Sequence, residues 1–470
     1  MYGHGITNLP QPGQQPQIKA RMAIEKTTPA SGLSRRGAPL AASSARVDMD
    51  LFFEAAQNLY DPEENPEGYF TLNVAENALM IPMMKARMDA ILQQGNIPEW
   101  AFQYTDPNGH PEVRETVAAF MEQYLCQCPI APDSIAFSAG AAATIEVSTF
   151  MLADEGDVVV IPAPAYPMYT NDVGLKSGLQ RYDLQTHYHP ADHGDISPLT
   201  TAHLDAAWAD ISGQGQRFKI LLLTSPDNPT GCMYSEKQLR QIAEWCIVHK
   251  VHLIVSEIYG LSLVNIEDDD IRADYTPATV PQSFAQLMAE LQSDYLHLWY
   301  ALSKDFAMSG FRFGIVHSLN ESFLKGFGNV NIPQMVSNLA QWVIGELMKD
   351  HAFLERYIAT NKARLTGSYK GVVKALRELE VPYVPSRGSL FVWADFSKYL
   401  KEDSEKGQED LWMDIYHSTG VLLTPGAGFQ HEKYGVFRMV YTTLPLSHLE
   451  VALERLRGYF LERLRPLNNR

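Results

Sequence analysis

The feature that most constrains the fold is a series of short apolar runs separated by amphipathic stretches. Continuous apolar runs of about four to eight residues are typical of strands covered on both faces. Five such runs are predicted to be buried strands: residues 157–161, 219–224, 252–255, 296–300 and 314–317. The stretches between them have helical spacing. The sequence therefore predicts an α/β fold whose central sheet is mostly parallel and is sandwiched between helices.

Local signals refine this pattern. Ser235 is predicted to cap a helix, because Gln238 follows three residues later as in a capping box. Two polar segments, 187–217 and 265–290, are predicted to be surface insertions. No internal repeat is visible.

Changes of composition along the chain predict its domain organisation. A tail rich in Gly, Pro, Gln and Ser is predicted to be disordered, since it cannot bury a core. An arm that joins the small domain, a large domain and a small C-terminal α+β domain follow. The predicted segments are 1–45, 46–75, 76–325 and 326–470.

Charge and cysteine content exclude several classes of protein. The 470 residues include 38 basic and 55 acidic side chains, a formal net charge of −17, which repels nucleic acid and anionic lipid. Four cysteines are too few for a disulfide framework, and no apolar run approaches the roughly 18 residues that span a bilayer. We expect a cytoplasmic protein with neither a nucleic-acid nor a membrane partner.

A lysine directly after a predicted strand is a candidate catalytic residue. Lys304 lies in Tyr-Ala-Leu-Ser-Lys-Asp at 300–305, before Ser-Gly-Phe-Arg-Phe-Gly at 309–314. A lysine amine held at a strand end can form a Schiff base with an aldehyde. Taken alone, such a lysine is more often a surface residue.

Three other motifs precede the lysine along the chain. Asp-Asn-Pro-Thr-Gly at 227–231 and Ser-Glu-Ile-Tyr at 256–259 each follow a predicted strand, at the sheet edge where α/β proteins bind ligands. Ser-Ala-Gly-Ala-Ala-Ala-Thr at 138–144 opens a helical pattern whose free amides suit a phosphate. Taken singly, each is also compatible with ordinary turns or close packing.

Further motifs produce a resemblance to a known family. They are Leu-Tyr-Asp-Pro-Glu-Glu-Asn-Pro-Glu-Gly at 59–68, Val-Ala-Glu-Asn at 74–77, Pro-Ala-Tyr-Pro at 164–167, Pro-Gly-Ala-Gly-Phe at 425–429 and Gly-Val-Phe-Arg at 435–438. Over about four fifths of its length the chain resembles fold-type I pyridoxal-phosphate (PLP) enzymes of the aminotransferase class I/II family. Within that family it is similar to the 1-aminocyclopropane-1-carboxylate synthases and their fungal relatives.

The resemblance implies which residues hold PLP. Lys304 would carry it as a Schiff base and move the substrate α-proton, with Tyr259 as its catalytic neighbour. The other residues implied to contact the cofactor are Ala141, Ala142, Tyr166, Asn228, Ser256, Ser303 and Arg312.

The resemblance also implies a substrate and a partner. Arg438 would bind the α-carboxylate of a small amino-acid substrate in a bidentate pair, and Glu76 would face that substrate. Tyr104 would reach the cofactor of a second subunit, which implies a homodimer with shared active sites.

One position departs from the family pattern. Relatives end the strand with Asp-Glu-Ile-Tyr, and their aspartate keeps the pyridine nitrogen protonated, whereas this chain has Ser256. A neutral hydroxyl cannot hold that proton by charge, so the cofactor would be a weaker electron sink. Glu257 could replace the aspartate only through a one-residue slip of the strand.

This departure favours β- or γ-elimination, of the carbon–sulfur lyase type. The resemblance to the fungal relatives implies a place in secondary metabolism. Three alternatives remain open: an aminotransferase, a 1-aminocyclopropane-1-carboxylate synthase and a non-catalytic scaffold with this fold. A polar loop also contains His187, His189 and His193, together with Asp192 and Asp195. We interpret it as an exposed loop and assign no metal.

Overall fold

The computed structural model describes residues 32–41, 47–187, 189–190 and 194–464. The chain divides into two compact units, Met1–Ala45 and Arg46–Arg470. In the first unit the described part contains a short helix, α1 (Gly37–Ala41). The rest of the tail predicted to be disordered, 1–31 and 42–45, lies outside the described residues. Among the residues described, no helix is long and apolar enough to cross a membrane.

The second unit is built from short strands and longer helices. Its strands are β1 (Phe70–Thr71), β2 (Ile135–Ser138), β3 (Val158–Ala163), β4 (Gln180–Gln185), β5 (Phe218–Thr224), β6 (His252–Ser256), β7 (Leu296–Ala301), β8 (Gly314–Ser318), β9 (Phe391–Asp395), β10 (Val421–Leu422), β11 (Thr424–Pro425) and β12 (Val436–Val440). Its α-helices are α2 (Val47–Ala55), α3 (Ile81–Gln94), α4 (Pro111–Phe120), α5 (Ala141–Leu152), α6 (Tyr169–Gly174), α7 (Thr201–Gly213), α8 (Glu236–His249), α9 (Phe284–Leu291), α10 (Leu302–Asp305), α11 (Glu321–Asn331), α12 (Asn338–Met348), α13 (His351–Glu378), α14 (Glu405–Thr419) and α15 (Leu446–Leu464).

A seven-stranded sheet forms the centre of this unit, in the order β2-β8-β7-β6-β5-β3-β4. Strands β4, β3, β5, β6 and β7 are parallel, and β8 is antiparallel to both of its neighbours. The predicted α/β fold with a mostly parallel sheet is confirmed, and the five predicted strands match β3, β5, β6, β7 and β8. Strands β2 and β4 were not predicted.

The central sheet is buried on both faces because alternate side chains of each strand enter different hydrophobic clusters. In β5, Leu221 and Leu223 belong to one cluster, while Ile220 and Leu222 belong to the cluster on the other face. This alternation explains why the strands read as continuous apolar runs rather than as alternating patterns.

The predictions for the local segments have mixed outcomes. Ser235 caps α8 as predicted, with its hydroxyl accepting from the amide of Gln238 and the Gln238 side chain accepting from the Ser235 amide. The prediction that 187–217 and 265–290 are surface insertions is wrong for α7 and α9. Both helices bury apolar residues in the core, among them Leu204, Ile211, Phe284 and Leu287.

A separate hydrophobic cluster lies under α13, α14 and α15. These helices pack near a three-stranded antiparallel sheet of β11, β12 and β9 and a parallel pair of β1 and β10. This is the α+β character expected of the C-terminal segment. The predicted domain boundaries at 75 and 325 stay predictions.

A buried ion pair links the approach to β9 with the segment after β4. The Arg387 Nε atom contacts Asp195, and the two side chains are 8% and 0% exposed. Arg387 also donates to the carbonyl oxygen of Thr276 at 2.7 Å, and the Thr276 hydroxyl donates to Asp195 at 2.7 Å. Removing one partner of a buried pair leaves the other without its counter-charge.

We therefore expect Arg387→Ala to lower the free energy of unfolding by about 3–5 kcal/mol. Arg240→Ala is the matched control, because Arg240 pairs with Glu290 at 2.6 Å on the surface and should contribute about 1 kcal/mol or less. Urea denaturation measures both. Equal losses in the two variants would contradict a stabilising role for the buried pair.

Candidate active site

Lys304 lies where β7 ends and α10 begins, at the carboxyl edge of the central sheet. Its side chain is half-buried, and its Nζ donates to the carbonyl oxygen of Ala75 at 2.6 Å. The Lys304 carbonyl oxygen accepts from the side-chain amide nitrogen of Asn77 at 3.3 Å. The amine is thus held over the sheet edge by a segment that precedes α3.

The residue after the lysine anchors this turn. Asp305 is buried and accepts hydrogen bonds from the Leu261 amide at 2.9 Å, the Ser262 hydroxyl at 2.6 Å and the Tyr300 hydroxyl at 2.9 Å. Burial raises the pKa of Asp305 to about 7. Ser303, on the other side of the lysine, is buried, and its carbonyl oxygen accepts from the Ser309 hydroxyl at 3.0 Å.

Asn228, Tyr259 and Arg438 form a second group at the same edge. The Asn228 amide nitrogen is 3.4 Å from the Tyr259 hydroxyl, and an Arg438 nitrogen donates to the Asn228 side-chain oxygen at 2.9 Å. Burial raises the pKa of Tyr259, with the Arg438 charge acting in the opposite direction. The phenol therefore stays protonated at neutral pH and can donate a hydrogen bond.

Arg438 is fixed from several sides. It lies on β12, is 2% exposed, and its guanidinium carbon is 5.0 Å from the ring centre of Phe391 and 4.9 Å from that of Phe429. A guanidinium nitrogen also donates to the carbonyl oxygen of Asn73 at 2.5 Å. A planar guanidinium held in this way suits bidentate recognition of a carboxylate.

The start of α5 and Arg312 form a cradle that fits a phosphate. Gly140 precedes α5 with a φ of +91°, and no side chain caps this helix end. A Cβ at Gly140 would lie 2.3 Å from an Arg312 nitrogen, so only glycine lets the guanidinium approach. Ala141 is half-buried and Ala142 is exposed, so the amides of the first turn are open to a ligand. Arg312, itself exposed, adds a cation.

Tyr166 and Ser256 lie on one face of the sheet. The Tyr166 ring packs edge-on against Tyr169 with centres 5.3 Å apart, and the Tyr169 hydroxyl is 2.8 Å from that of Thr224. Thr224 pairs in register with Ser256, the last residue of β6. Ser256 therefore stands at the strand end that the motif comparison predicts.

Glu257 does not replace the missing aspartate. Its carboxyl group accepts from the Ser283 hydroxyl at 2.7 Å and from the Phe284 amide at 2.5 Å, at the start of α9. Burial raises its pKa to about 7. Because successive strand residues face opposite sides, Glu257 points away from the face of Ser256, and no strand slip occurs.

Two of the predicted site residues, Tyr104 and Glu76, have exposed side chains. Tyr104 is fully exposed, so it does not enter the site of its own chain. Glu76 is also exposed; the hydrogen bond of this residue with Thr442 at 2.6 Å uses its main-chain oxygen.

The histidines of the polar loop pair with different acidic residues. His187 pairs with Glu432 at 3.0 Å and His189 with Asp395 at 2.9 Å. Asp192 and His193 lie outside the described residues. Within the described part of the chain no group of three or more His, Cys, Asp or Glu side chains could hold a metal ion.

Sequence reasoning missed the contacts made by Asn73 and Ala75. Both act through main-chain oxygens, on Arg438 and Lys304 respectively. Every residue has such an oxygen, so no sequence signal could have identified them.

Comparison with known sequences agrees with this arrangement. The family model for aminotransferase class I and II matches residues 71–456. The chain is 26% identical over 424 residues to 1-aminocyclopropane-1-carboxylate synthase 7 of Arabidopsis thaliana, covering 87% of this chain and 91% of that one. It is 28% identical over 431 residues to the Glycine max 1-aminocyclopropane-1-carboxylate synthase, covering 86% and 83%. It is also 28% identical over 430 residues to the mouse probable inactive 1-aminocyclopropane-1-carboxylate synthase-like protein 2, covering 90% and 71%.

Solved structures share the fold. A Pyrococcus protein A1 superposes with a TM-score of 0.72 at 21% identity, covering 91% of this chain and 99% of that one. A double mutant of Thermus thermophilus aspartate aminotransferase gives 0.70 at 20% identity with the same coverage. The family depends on PLP, and the phosphate cradle, the half-buried lysine and the buried arginine of this structure fit that cofactor and an amino-acid substrate. The chain belongs to the PLP-dependent aminotransferase class I and II family.

Proposed function

We propose that this protein is a PLP enzyme that removes the α-proton of an amino acid or amino-acid conjugate and then eliminates a group from Cβ or Cγ, as a carbon–sulfur lyase does. The observation that carries the proposal is Ser256 at the end of β6, with Glu257 held on the other face by Ser283 and Phe284. Bound PLP supplies an electron sink that weakens bonds at Cα.

Each residue of the site has a role in this proposal. Arg438 binds the α-carboxylate, and Lys304 moves the α-proton. Asn228 and Tyr259 orient the cofactor ring through hydrogen bonds, and Tyr166 packs on its face. Because Gly140 has no side chain, Arg312 can reach the phosphate. The amides of Ala141 and Ala142 and the hydroxyl of Ser303 bind the phosphate beside it.

Ser256 supports elimination over transamination for an electrostatic reason. Its hydroxyl is neutral, so it does not stabilise a proton on the ring nitrogen by charge. The neighbouring buried acid Asp305 already accepts from Ser262, Tyr300 and Leu261. Because the cofactor is then a weaker electron sink, transamination is slowed, since it requires the proton to return at the cofactor. Loss of a good leaving group from Cβ therefore competes better.

Formation of 1-aminocyclopropane-1-carboxylate is the second candidate, because curated relatives at 26–28% identity have that activity in their names. Transamination is the third, by analogy with the solved aspartate aminotransferases. A non-catalytic role is the fourth, since one relative is named as inactive. The products distinguish these four functions.

We also propose a homodimer with shared sites. Tyr104 and Phe102 are 102% and 80% exposed, yet their loop is fixed, since the Asn338 side chain donates to the Gln103 oxygen at 2.5 Å. An anchored loop with exposed aromatic side chains suits a second subunit. Members of this family are typically dimers.

The first test is product analysis with PLP-loaded protein and S-substituted cysteines. We expect the absorbance of the bound cofactor to change on addition of substrate, and pyruvate, ammonia and a thiol to form without an added keto acid. Amino transfer that requires a keto acid would contradict elimination. No spectral response to any amino acid or to S-adenosylmethionine would favour the non-catalytic role.

The second test is Ser256→Asp, with the neutral Ser256→Asn as control. We expect the aspartate to raise the ratio of transamination to elimination about tenfold, equivalent to about 1.4 kcal/mol in relative barrier, because it stabilises the protonated ring. Rates of pyruvate release and of amino transfer are measured on the same preparation. An unchanged ratio would show that Ser256 does not set the reaction outcome.

The third test mixes two inactive variants, Lys304→Ala and Tyr104→Ala, and lets their subunits reassociate. Random reassociation makes half of the dimers mixed. If Tyr104 acts across the interface, each mixed dimer has one intact site, so about one quarter of wild-type activity should return. Sedimentation checks the mass. A monomer, or no recovered activity from mixed dimers, would contradict shared sites.

A further inference from the structure

Residues 72–77 cross the candidate site and contact both of its functional cations. The Asn73 oxygen accepts from Arg438 at 2.5 Å, and the Ala75 oxygen accepts from Lys304 at 2.6 Å. The segment is tied to the small sheet, where the Val440 amide donates to the Leu72 oxygen at 2.9 Å. Its conformation therefore influences where both cations lie.

An acidic side chain from α2 holds this segment. Asp48, near the start of that helix, is 1% exposed, and its Oδ2 accepts from the Asn73 side-chain amide at 2.9 Å. The same amide nitrogen lies 3.4 Å from the Asp48 carbonyl oxygen. Asn73 is fully buried, so water does not readily replace these contacts.

The contacts continue without interruption to the cofactor-facing groups. From Asn73 the chain of hydrogen bonds runs through Arg438 and Asn228 to Tyr259. All of these residues are 4% exposed or less. In such a buried polar network, a change at one end alters the geometry of the next member.

We propose that Asp48 is a positioning residue for substrate recognition. Its carboxyl group fixes Asn73, whose main-chain oxygen in turn orients Arg438 to receive the α-carboxylate of the amino acid. This inference rests on the proposed function, because it takes Arg438 as the carboxylate-binding residue. It assigns a role in the active site to the helix Val47–Ala55, which lies outside the family-model match at residues 71–456.

The competing interpretation is that Asp48 only stabilises α2. An acid in the first turn of a helix is favoured by the helix dipole. That interpretation predicts a lower melting temperature without any change in carboxylate affinity. The two are separated by measuring binding and stability on the same variants.

The experiment uses PLP-loaded protein and two probes. One is 2-aminoisobutyrate, which has no α-proton to lose, and the other is its carboxamide, which lacks the carboxylate. Dissociation constants are measured from the cofactor absorbance and by calorimetry. We expect Asp48→Ala to weaken binding of the acid about 5- to 10-fold, the range for loss of one hydrogen bond in a buried network, and to leave the amide unaffected. With a reacting substrate, KM should rise while kcat changes by less than about twofold.

Two variants serve as controls. Asp48→Asn keeps an oxygen that accepts from Asn73, so it should restore most of the affinity. Glu54→Gln, an exposed acid on the same helix, should bind both probes as the wild type does. Asn73→Ala should reproduce the effect of Asp48→Ala, and the double variant should lose no more than either single one.

The outcomes separate this inference from the proposed function. If Asp48→Ala binds the acid within twofold of wild type, or weakens acid and amide equally, Asp48 is not a positioning residue. If Asp48→Ala does not fold, the same comparison of acid and amide binding is made with Asn73→Ala. A wild-type protein that binds the acid no more tightly than the amide would instead overturn the carboxylate-binding role of Arg438, which belongs to the proposed function.

Discussion

The register of the central sheet is the constraint on which the site depends. Thr224 of β5 pairs with Ser256 of β6, and Ser256 with Trp299 of β7, so the parallel strands end at a common edge. The segments that follow these strands contain Asn228, Tyr259 and Lys304. Because side chains alternate along a strand, a slip of one residue would bring Glu257 to the face of Ser256 and change the electrostatics of the site.

The sequence predicted the central strands because burial on both faces leaves a clear signal. It did not predict β4, an edge strand with polar residues from Gln180 to Gln185, since a strand covered less completely carries less apolar character. It also missed that α7 and α9 are core helices. Each buries a few apolar residues inside a polar segment, and averaging over 187–217 or 265–290 conceals them.

Sequence motifs singled out several side chains of the candidate site. Lys304, Asn228, Tyr259 and Arg438 have recognisable motifs, and the structure brings the last three into one hydrogen-bonded group. Contacts made by main-chain oxygens, such as those of Asn73 and Ala75, depend on the path of the chain alone. The sequence could not identify Asp48 either, because its partner Asn73 is 25 residues away and no local pattern joins the two residues.

The placement of Arg438 between Phe391 and Phe429 determines more than its orientation. A cation in this apolar slot is ordered when the protein folds, so little further entropy is lost when a carboxylate arrives. Salt screens a charge that is 2% exposed much less than it screens a charge on the surface. Recognition of the carboxylate should accordingly vary little with ionic strength, unlike contacts between charges on the surface.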